Sequence, residues 1–229
     1  QGEEYGATTV CYETIEDYND CYTVGEYHSL MENGKTEKEA LETTVIHSVT
    51  DGFSGGLMRE RPFSAPHHTT SAVALIGGGR TAMPGEISKA HNGVLFLDEL
   101  PEFRKDTLDM MRQPLEDGRV SISRVSGSVT YPSSITLVAA MNPCPCGFSG
   151  HPTKPCTCSS NVVSKYLNRI SGPMLDRLDI HVEVPPVDYE ALKSKANEES
   201  SESIKKRVNA ARQIQTERYK GTNITCNAR

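Results

Sequence analysis

The stretch that most constrains the fold is His91 to Pro101, which reads HNGVLFLDELP. Val94 to Leu97 form an apolar run without alternation, bounded by Asn92-Gly93 before it and by Asp98-Glu99 and a proline after it. Such a run suits a short strand buried on both faces of a parallel sheet. It places two adjacent carboxylates at the carboxyl end of that strand, the edge where ligands bind in open α/β sheets. In nucleoside triphosphatases an apolar strand ending in Asp-Glu is the Walker B pattern, in which the Asp helps hold Mg²⁺ and a neighbouring carboxylate polarises the attacking water. The plainer reading is that Asp98 or Glu99 caps a helix starting near Pro101.

A chain of 229 residues is long enough to bury an ordinary core without extra staples. No apolar run approaches the roughly 18 residues of a membrane span, and the amino terminus is acidic and polar, so the chain reads as cytoplasmic. Four of the seven cysteines crowd into Cys144 to Cys158. That clustering favours a metal site over a secreted disulfide framework. Residues 1–35 hold eight acids against Lys35, a charge of −7, which leaves +1 for the rest of a chain whose net charge is −6. Any polyanion would therefore have to be met by a local basic surface rather than by the overall field.

Residues 1–35 carry five tyrosines and no chemical motif; Thr8 to Tyr12 suits a strand, and the segment reads as an acidic extension or a small add-on. Asn33-Gly34-Lys35-Thr36 ends like a phosphate loop, but Ser29 stands where the G-x-x-x-x-G-K-[ST] pattern needs glycine. Thr36 and Glu39 make a capping box, and Ala40, Leu41, Val45 and Val49 predict the apolar side of a helix from Glu37 to about Val49. Arg61 to His68 reads as extended. The paired His67 and His68 have no third ligand in local register, which favours a structural or phosphate-contact role over metal. Leu75 to Arg80 begins a glycine-rich loop.

Lys105 to Gln113 reads as a helix with Leu108, Met110 and Met111 on its apolar side, stopping before Pro114. Arg119 to Tyr131 then alternates Val120, Ile122 and Arg124 with serines and offers a turn at Ser126-Gly127. This predicts a β-hairpin carrying Arg119 and Arg124 on a polar surface, either simply solvated or a finger that touches a polyanion.

Ile135 to Met141 predicts a second buried strand, ending in Asn142, which is well placed to orient a water or a terminal phosphate. Cys144, Cys146, Cys156 and Cys158 follow in two close pairs, with Gly147, Gly150 and Pro152 turning the chain back. They can make a tetrahedral Cys₄ zinc site; a redox pair is the competing reading, and His151 could replace one thiolate. Arg177 precedes a third strand, Ile180 to Val184, where an arginine is more often a salt-bridge partner. In a ring assembly it can instead reach the neighbour's nucleotide. Glu202 to about Tyr219 reads as a solvated basic helix.

Taken together, RERPFSAPHHTTS, GEISKAHNGVLFLDELPEF, RQPLEDGRVSISRVSGSVTYP, VAAMNPCPCG, CTCS and ISGPMLDRLDIHVEVP resemble the magnesium-chelatase-like AAA+ ATPases of the ComM/YifB family. The likeness runs from about Thr36 to Arg229. It implies an α/β, P-loop-type three-layer sandwich with a parallel sheet, a helix-2 insert at Leu75 to Pro84 and a pre-sensor-1 hairpin at Val120 to Thr130. It also implies Asp98 and Glu99 as Walker B, with Asp98 on Mg²⁺, Asn142 as sensor 1 contacting ATP, and Arg177 as arginine finger. Family members are taken to be hexameric motors that drive DNA branch migration; the namesake relative inserts Mg²⁺ into a porphyrin.

Departures from the family pattern accompany the likeness. The resemblance implies a Walker A loop and an interior strand before the helix at Glu37, and a lid after the core, none of which this sequence matches. The expected layout is residues 1–35 as a separate segment, 36–188 as a core that includes the cysteine loop at 144–158, and 189–229 as a basic helix leading toward the lid. The leading reading is an ATP-driven DNA motor domain, with or without residual ATP hydrolysis. Its rivals are a non-catalytic zinc-bearing interaction module and a chelatase motor subunit.

Overall fold

The computed structural model describes residues 8–12, 37–50, 56–58, 60–125, 127–184 and 199–222. Strands β1 (Thr8–Tyr12), β2 (Phe63–Ser64), β5 (Gly93–Leu97), β8 (Ile135–Met141) and β9 (Ile180–Glu183) form one five-stranded sheet in the order β2-β5-β8-β1-β9. Every pairing in it is parallel. Two antiparallel pairs stand outside this sheet: β3 (Gly77–Gly78) with β4 (Met83–Pro84), and β6 (Arg119–Arg124) with β7 (Gly127–Pro132). The expectation of a missing interior strand is corrected by β1, whose residues pair with β8 on one side and β9 on the other. Its TTVCY composition supplies the β-branched residues a strand favours, although it sits inside an acidic segment.

The helices are α1 (Glu37–Thr50), α2 (Ala72–Ile76), α3 (Glu86–Lys89), α4 (Lys105–Asp117), α5 (Ser160–Leu167), α6 (Gly172–Leu175) and α7 (Ser201–Arg218). Register puts Leu95 beside Leu137 and Leu97 beside Ala139, so these side chains share one face of the sheet. They belong to a continuous core with Leu75, Ile87, Leu100, Phe103, Leu108, Met111, Ile170 and Met174. Gly93 lets β2 approach β5: a Cβ there would lie 2.0 Å from the Pro62 carbonyl oxygen, which accepts the Val94 N–H.

Several local expectations change. On α1 the inward residues are Ala40, Thr43 and Ile46, whereas Leu41, Val45 and Val49 are exposed. Polar anchoring fixes that face: Thr43 Oγ1 lies 3.4 Å from the His91 carbonyl oxygen, and His47 Nε2 lies 3.0 Å from the Lys89 carbonyl oxygen. Thr36, the proposed cap of this helix, lies outside the described residues. The loop expected at Leu75 to Arg80 is instead the end of α2 followed by the β3–β4 hairpin. Helix α4 continues through Pro114 to Asp117; the proline is buried near its end, and Gly118 closes it in the left-handed conformation by donating to the Pro114 carbonyl. Met110, expected on the apolar side of α4, is exposed. Helix α7 buries none of its residues. Among the described residues no helix is long and apolar enough to cross a membrane.

Candidate nucleotide and metal sites

Because β5 and β8 are parallel neighbours, with Leu97 beside Ala139, Asp98, Glu99 and Asn142 all leave the sheet at its carboxyl edge on adjacent strands. The three residues singled out from sequence are therefore brought together. Glu99 has φ 52° and ψ 46°, a left-handed conformation uncommon for a residue with a side chain. It breaks the strand and starts a 3₁₀ turn, Leu100–Glu102, whose Leu100 and Pro101 are buried. The Asp98 Oδ1 accepts the Glu99 N–H at 2.7 Å, which fixes the junction between the two acids.

Opposite Glu99 stands His68, whose Nδ1 lies 3.0 Å from Glu99 Oε2. The His68 ring packs edge-on to Phe103 and tilts against His67, at centroid distances of 6.4 and 4.1 Å. The paired histidines thus divide the work: His68 holds Glu99, while His67 Nδ1 pairs with Thr69 Oγ1 at 2.9 Å. Sequence reading missed this partnership because the two residues lie on different strand exits; the only signal was that His68 follows a short extended segment.

Helix α5 closes another side. Buried Tyr166 is pushed up to about 12, first by desolvation and then by the negative charges of Glu102 and Glu99. The Arg169 guanidinium donates to Glu102 Oε2 at 2.7 Å and to the Pro101 carbonyl at 3.3 Å. Arg177 is not brought to this edge: it pairs with Glu116 near the end of α4 and donates to the Pro173 carbonyl at 3.3 Å.

Directly after Asn142 the four cysteines converge, and their Sγ atoms all lie within 4.8 Å of one another. Cys144 is fully buried, and its sulfur stands 3.4 Å from Cys146 and 3.7 Å from Cys156. The Ser149 N–H points at Cys144 Sγ and the Cys158 N–H at Cys156 Sγ, at 3.3 and 3.4 Å. Backbone N–H groups of Phe148 and Thr157 hold Cys146 down at about 5. The Cys158 N–H draws Cys156 down as well, but desolvation and the thiols of Cys146 and Cys144 prevail and push it up to about 12. Four sulfurs gathered this closely at the end of one strand make a ligand set that a bound cation would complete. Among the described residues the convergent group consists of the four cysteines without His151, whose Nδ1 accepts the Lys154 N–H at 3.0 Å and whose ring stands edge-on to Phe148 at 5.6 Å.

Arg119 and Arg124 are both exposed on the β6–β7 hairpin, but not on one surface. Strand alternation places Arg124 on the side of buried Val120 and Ile122, and Arg119 on the other with Ser121 and Ser123.

The parallel order β2-β5-β8-β1-β9, with acids and an asparagine at one carboxyl edge, defines an α/β protein built on an open parallel sheet. The profile of the family described as magnesium chelatase, subunit ChlI, matches residues 27–192, and the chain belongs to this family, as a magnesium-chelatase-like protein of the ComM/YifB group. The uncharacterized protein YifB of Escherichia coli K12 is 46% identical over 191 residues, 82% of this chain and 37% of YifB. Competence protein ComM of Haemophilus influenzae is 44% identical over 197 residues, 85% of this chain and 38% of ComM. The chain thus spans less than two-fifths of these curated relatives. Among solved structures, NtrX from Brucella abortus in complex with ATP covers 79% of this chain and 33% of its own, at 15% identity and a TM-score of 0.41.

Proposed function

We propose that this chain supplies the acid edge and a nucleic-acid contact of an ATP-driven DNA motor that works as a ring, a hexamer in the resembled family. The observation that carries the reading is the convergence of Asp98, Glu99 and Asn142 on adjacent strand ends, with Glu99 held by His68. Asp98 offers a hard oxygen ligand suited to Mg²⁺. Glu99 takes a proton from the attacking water, Asn142 orients that water, and His68 keeps the Glu99 carboxylate aimed. Mg-ATP, when bound, supplies the transferable phosphoryl group and the charge neutralisation at its oxygens. Arg177, tied to α4 in its own subunit, would serve the neighbour's site in the ring.

The cysteine loop fits structural zinc. Tetrahedral thiolate ligation at about 2.3 Å sets sulfurs roughly 3.8 Å apart, close to the observed 3.4, 3.6 and 3.7 Å. The β6–β7 hairpin is the DNA contact.

The test is calorimetric titration of this chain with Mg-ATP, beside Asp98→Ala and Glu99→Gln. Binding lost in Asp98→Ala, together with hydrolysis lost but binding kept in Glu99→Gln, supports the motor reading. The second reading, a non-catalytic zinc-bearing interaction module, is favoured by Ser29 standing where a phosphate loop needs glycine. Absence of Mg-ATP binding by the intact chain would decide for it.

A further inference from the structure

We infer that Cys146 and Cys156 form an oxidative modification site: a hydroperoxide joins them into a disulfide, which unloads the metal and lets go of the end of the loop that follows Asn142. This rests on the zinc part of the reading above and adds a chemical control of that site.

Exposure separates the four sulfurs. Cys144 is fully buried, and the Ser149 N–H points at its sulfur at 3.3 Å. Cys146, Cys156 and Cys158 are only half-buried, and Pro145, Pro155, Thr157 and Ser159 beside them in the chain are exposed. A metal-bound cysteine stays a thiolate, the form that reacts with peroxides, so access decides which of the four reacts. Distance then selects the pair. Of the sulfur contacts at 3.4, 3.6 and 3.7 Å, the first and last involve sealed Cys144, and the one at 3.6 Å joins Cys146 to Cys156. A bridge within either C-x-C pair would instead close around a single residue, Pro145 or Thr157, and strain the S–S torsion.

The step balances as follows. One thiolate attacks hydrogen peroxide, the O–O bond breaks, and a sulfenic acid and a hydroxide result. The second thiolate attacks that sulfur, the S–O bond breaks as the S–S bond forms, and a second hydroxide leaves. Each sulfur loses one electron, and the peroxide, having gained both, becomes two waters once the hydroxides take up protons. Cys144 and Cys158 then remain, half of the tetrahedral ligand set zinc requires. No helix or strand lies between Met141 and Ser160, and the backbone bonds inside the loop, Gly147 N–H to the Cys144 carbonyl and His151 N–H to the Phe148 carbonyl, each span three residues. The disulfide therefore keeps the middle of the loop stapled while both ends come loose: Cys144, two residues from Asn142, and Cys158, two residues from α5.

The experiment treats the intact zinc-loaded chain with hydrogen peroxide. It follows zinc release with a chromogenic chelator, maps disulfides by mass spectrometry and measures amide exchange. Chymotryptic cleavage after Phe148 puts Cys144 and Cys146 on one peptide and Cys156 and Cys158 on another. Zinc should appear in step with a Cys146–Cys156 cross-link, and reductant with added zinc should reverse both. Exchange protection should be lost at residues 142–145 and 157–160 and kept between the bridged cysteines, unlike chelation, which releases the whole loop. A dominant bridge to Cys144 or Cys158, zinc retained after the disulfide forms, or protection unchanged at 142–145 would overturn the proposal while leaving the zinc site standing. Absence of metal from the untreated chain purified under reducing conditions with zinc would remove the zinc reading itself, and this control with it.

Discussion

The loops that leave β5 and β8 start side by side at one sheet edge, yet they are held by different means. The β5 exit, Asp98 to Phe103, sinks Leu100 and Phe103 into the core and closes its turn with backbone bonds, Glu102 N–H to the Glu99 carbonyl at 2.7 Å among them. The β8 exit, Asn142 to Cys158, buries Cys144 and otherwise converges on four sulfurs. One loop is held by apolar packing, the other by a site that a cation would complete. The two routes to order suggest two dependences: the acids should hold their geometry whether or not metal is bound, and Asn142 should share the fate of the cysteine loop.

Chelation gives the largest expected effect. Structural zinc in small domains contributes on the order of 10 kcal/mol to the segments it closes. Strong chelator, or Cys144→Ser, should strip about one metal ion per chain and abolish amide-exchange protection across residues 144–158, with the β5 exit still protected. Metal analysis and exchange mass spectrometry read this directly. Equal loss of protection in both loops would erase the distinction between them.

Leu100→Ala comes next. Removing a fully buried leucine from the core should cost about 2–5 kcal/mol in urea unfolding. Bound metal should remain, because the sulfurs do not depend on that side chain.

Much of this contrast was legible beforehand. Val94 to Leu97 and Ile135 to Met141 are apolar runs too continuous for a one-sided strand, so their carboxyl ends marked the edge where Asp98, Glu99 and Asn142 meet. The cysteines were legible because two close pairs with glycines between them must fold back. What escaped depends on contacts distant in sequence. The His68 partnership with Glu99 spans the β2 and β5 exits, and Arg124 finds its seat on Gly78 in another hairpin. Helix α1 misled because Leu41, Val45 and Val49 stay exposed while Thr43 faces inward with Ala40 and Ile46. The strands of the β3–β4 hairpin are two residues each, too short for alternation to register.

Tyr166 sharpens the comparison at a smaller scale, since it is buried against the acids of the β5 exit. Its folded pKa lies at about 12, above the ordinary value near 10, because burial and nearby carboxylates disfavour the phenolate. The unfolded chain therefore releases this proton first. Stability should be unaffected below about pH 10 and fall as pH rises toward 12, by about 2 kcal/mol at most. Tyr166→Phe should remove that component from the alkaline unfolding profile. An unchanged profile would mean that neither burial nor the carboxylates of the β5 exit hold back ionisation of this ring.

The smallest effect is expected from Arg169→Ala. Arg169 and Glu102 form a short ion pair at the rim of the β5 exit, but their side chains are 51% and 41% exposed. Solvent screening and the entropy of fixing two long side chains leave such a pair less than about 1 kcal/mol. The guanidinium also covers the Pro101 carbonyl, which water can reach once the arginine is gone. Urea unfolding of Arg169→Ala should thus fall within about 1 kcal/mol of wild type, well short of Leu100→Ala. A loss equal to that of Leu100→Ala would mean that charge, and not apolar packing, fixes the loop bearing Glu99. The contrast between the two strand exits would then be one of ligand type alone: an arginine for one and a metal ion for the other.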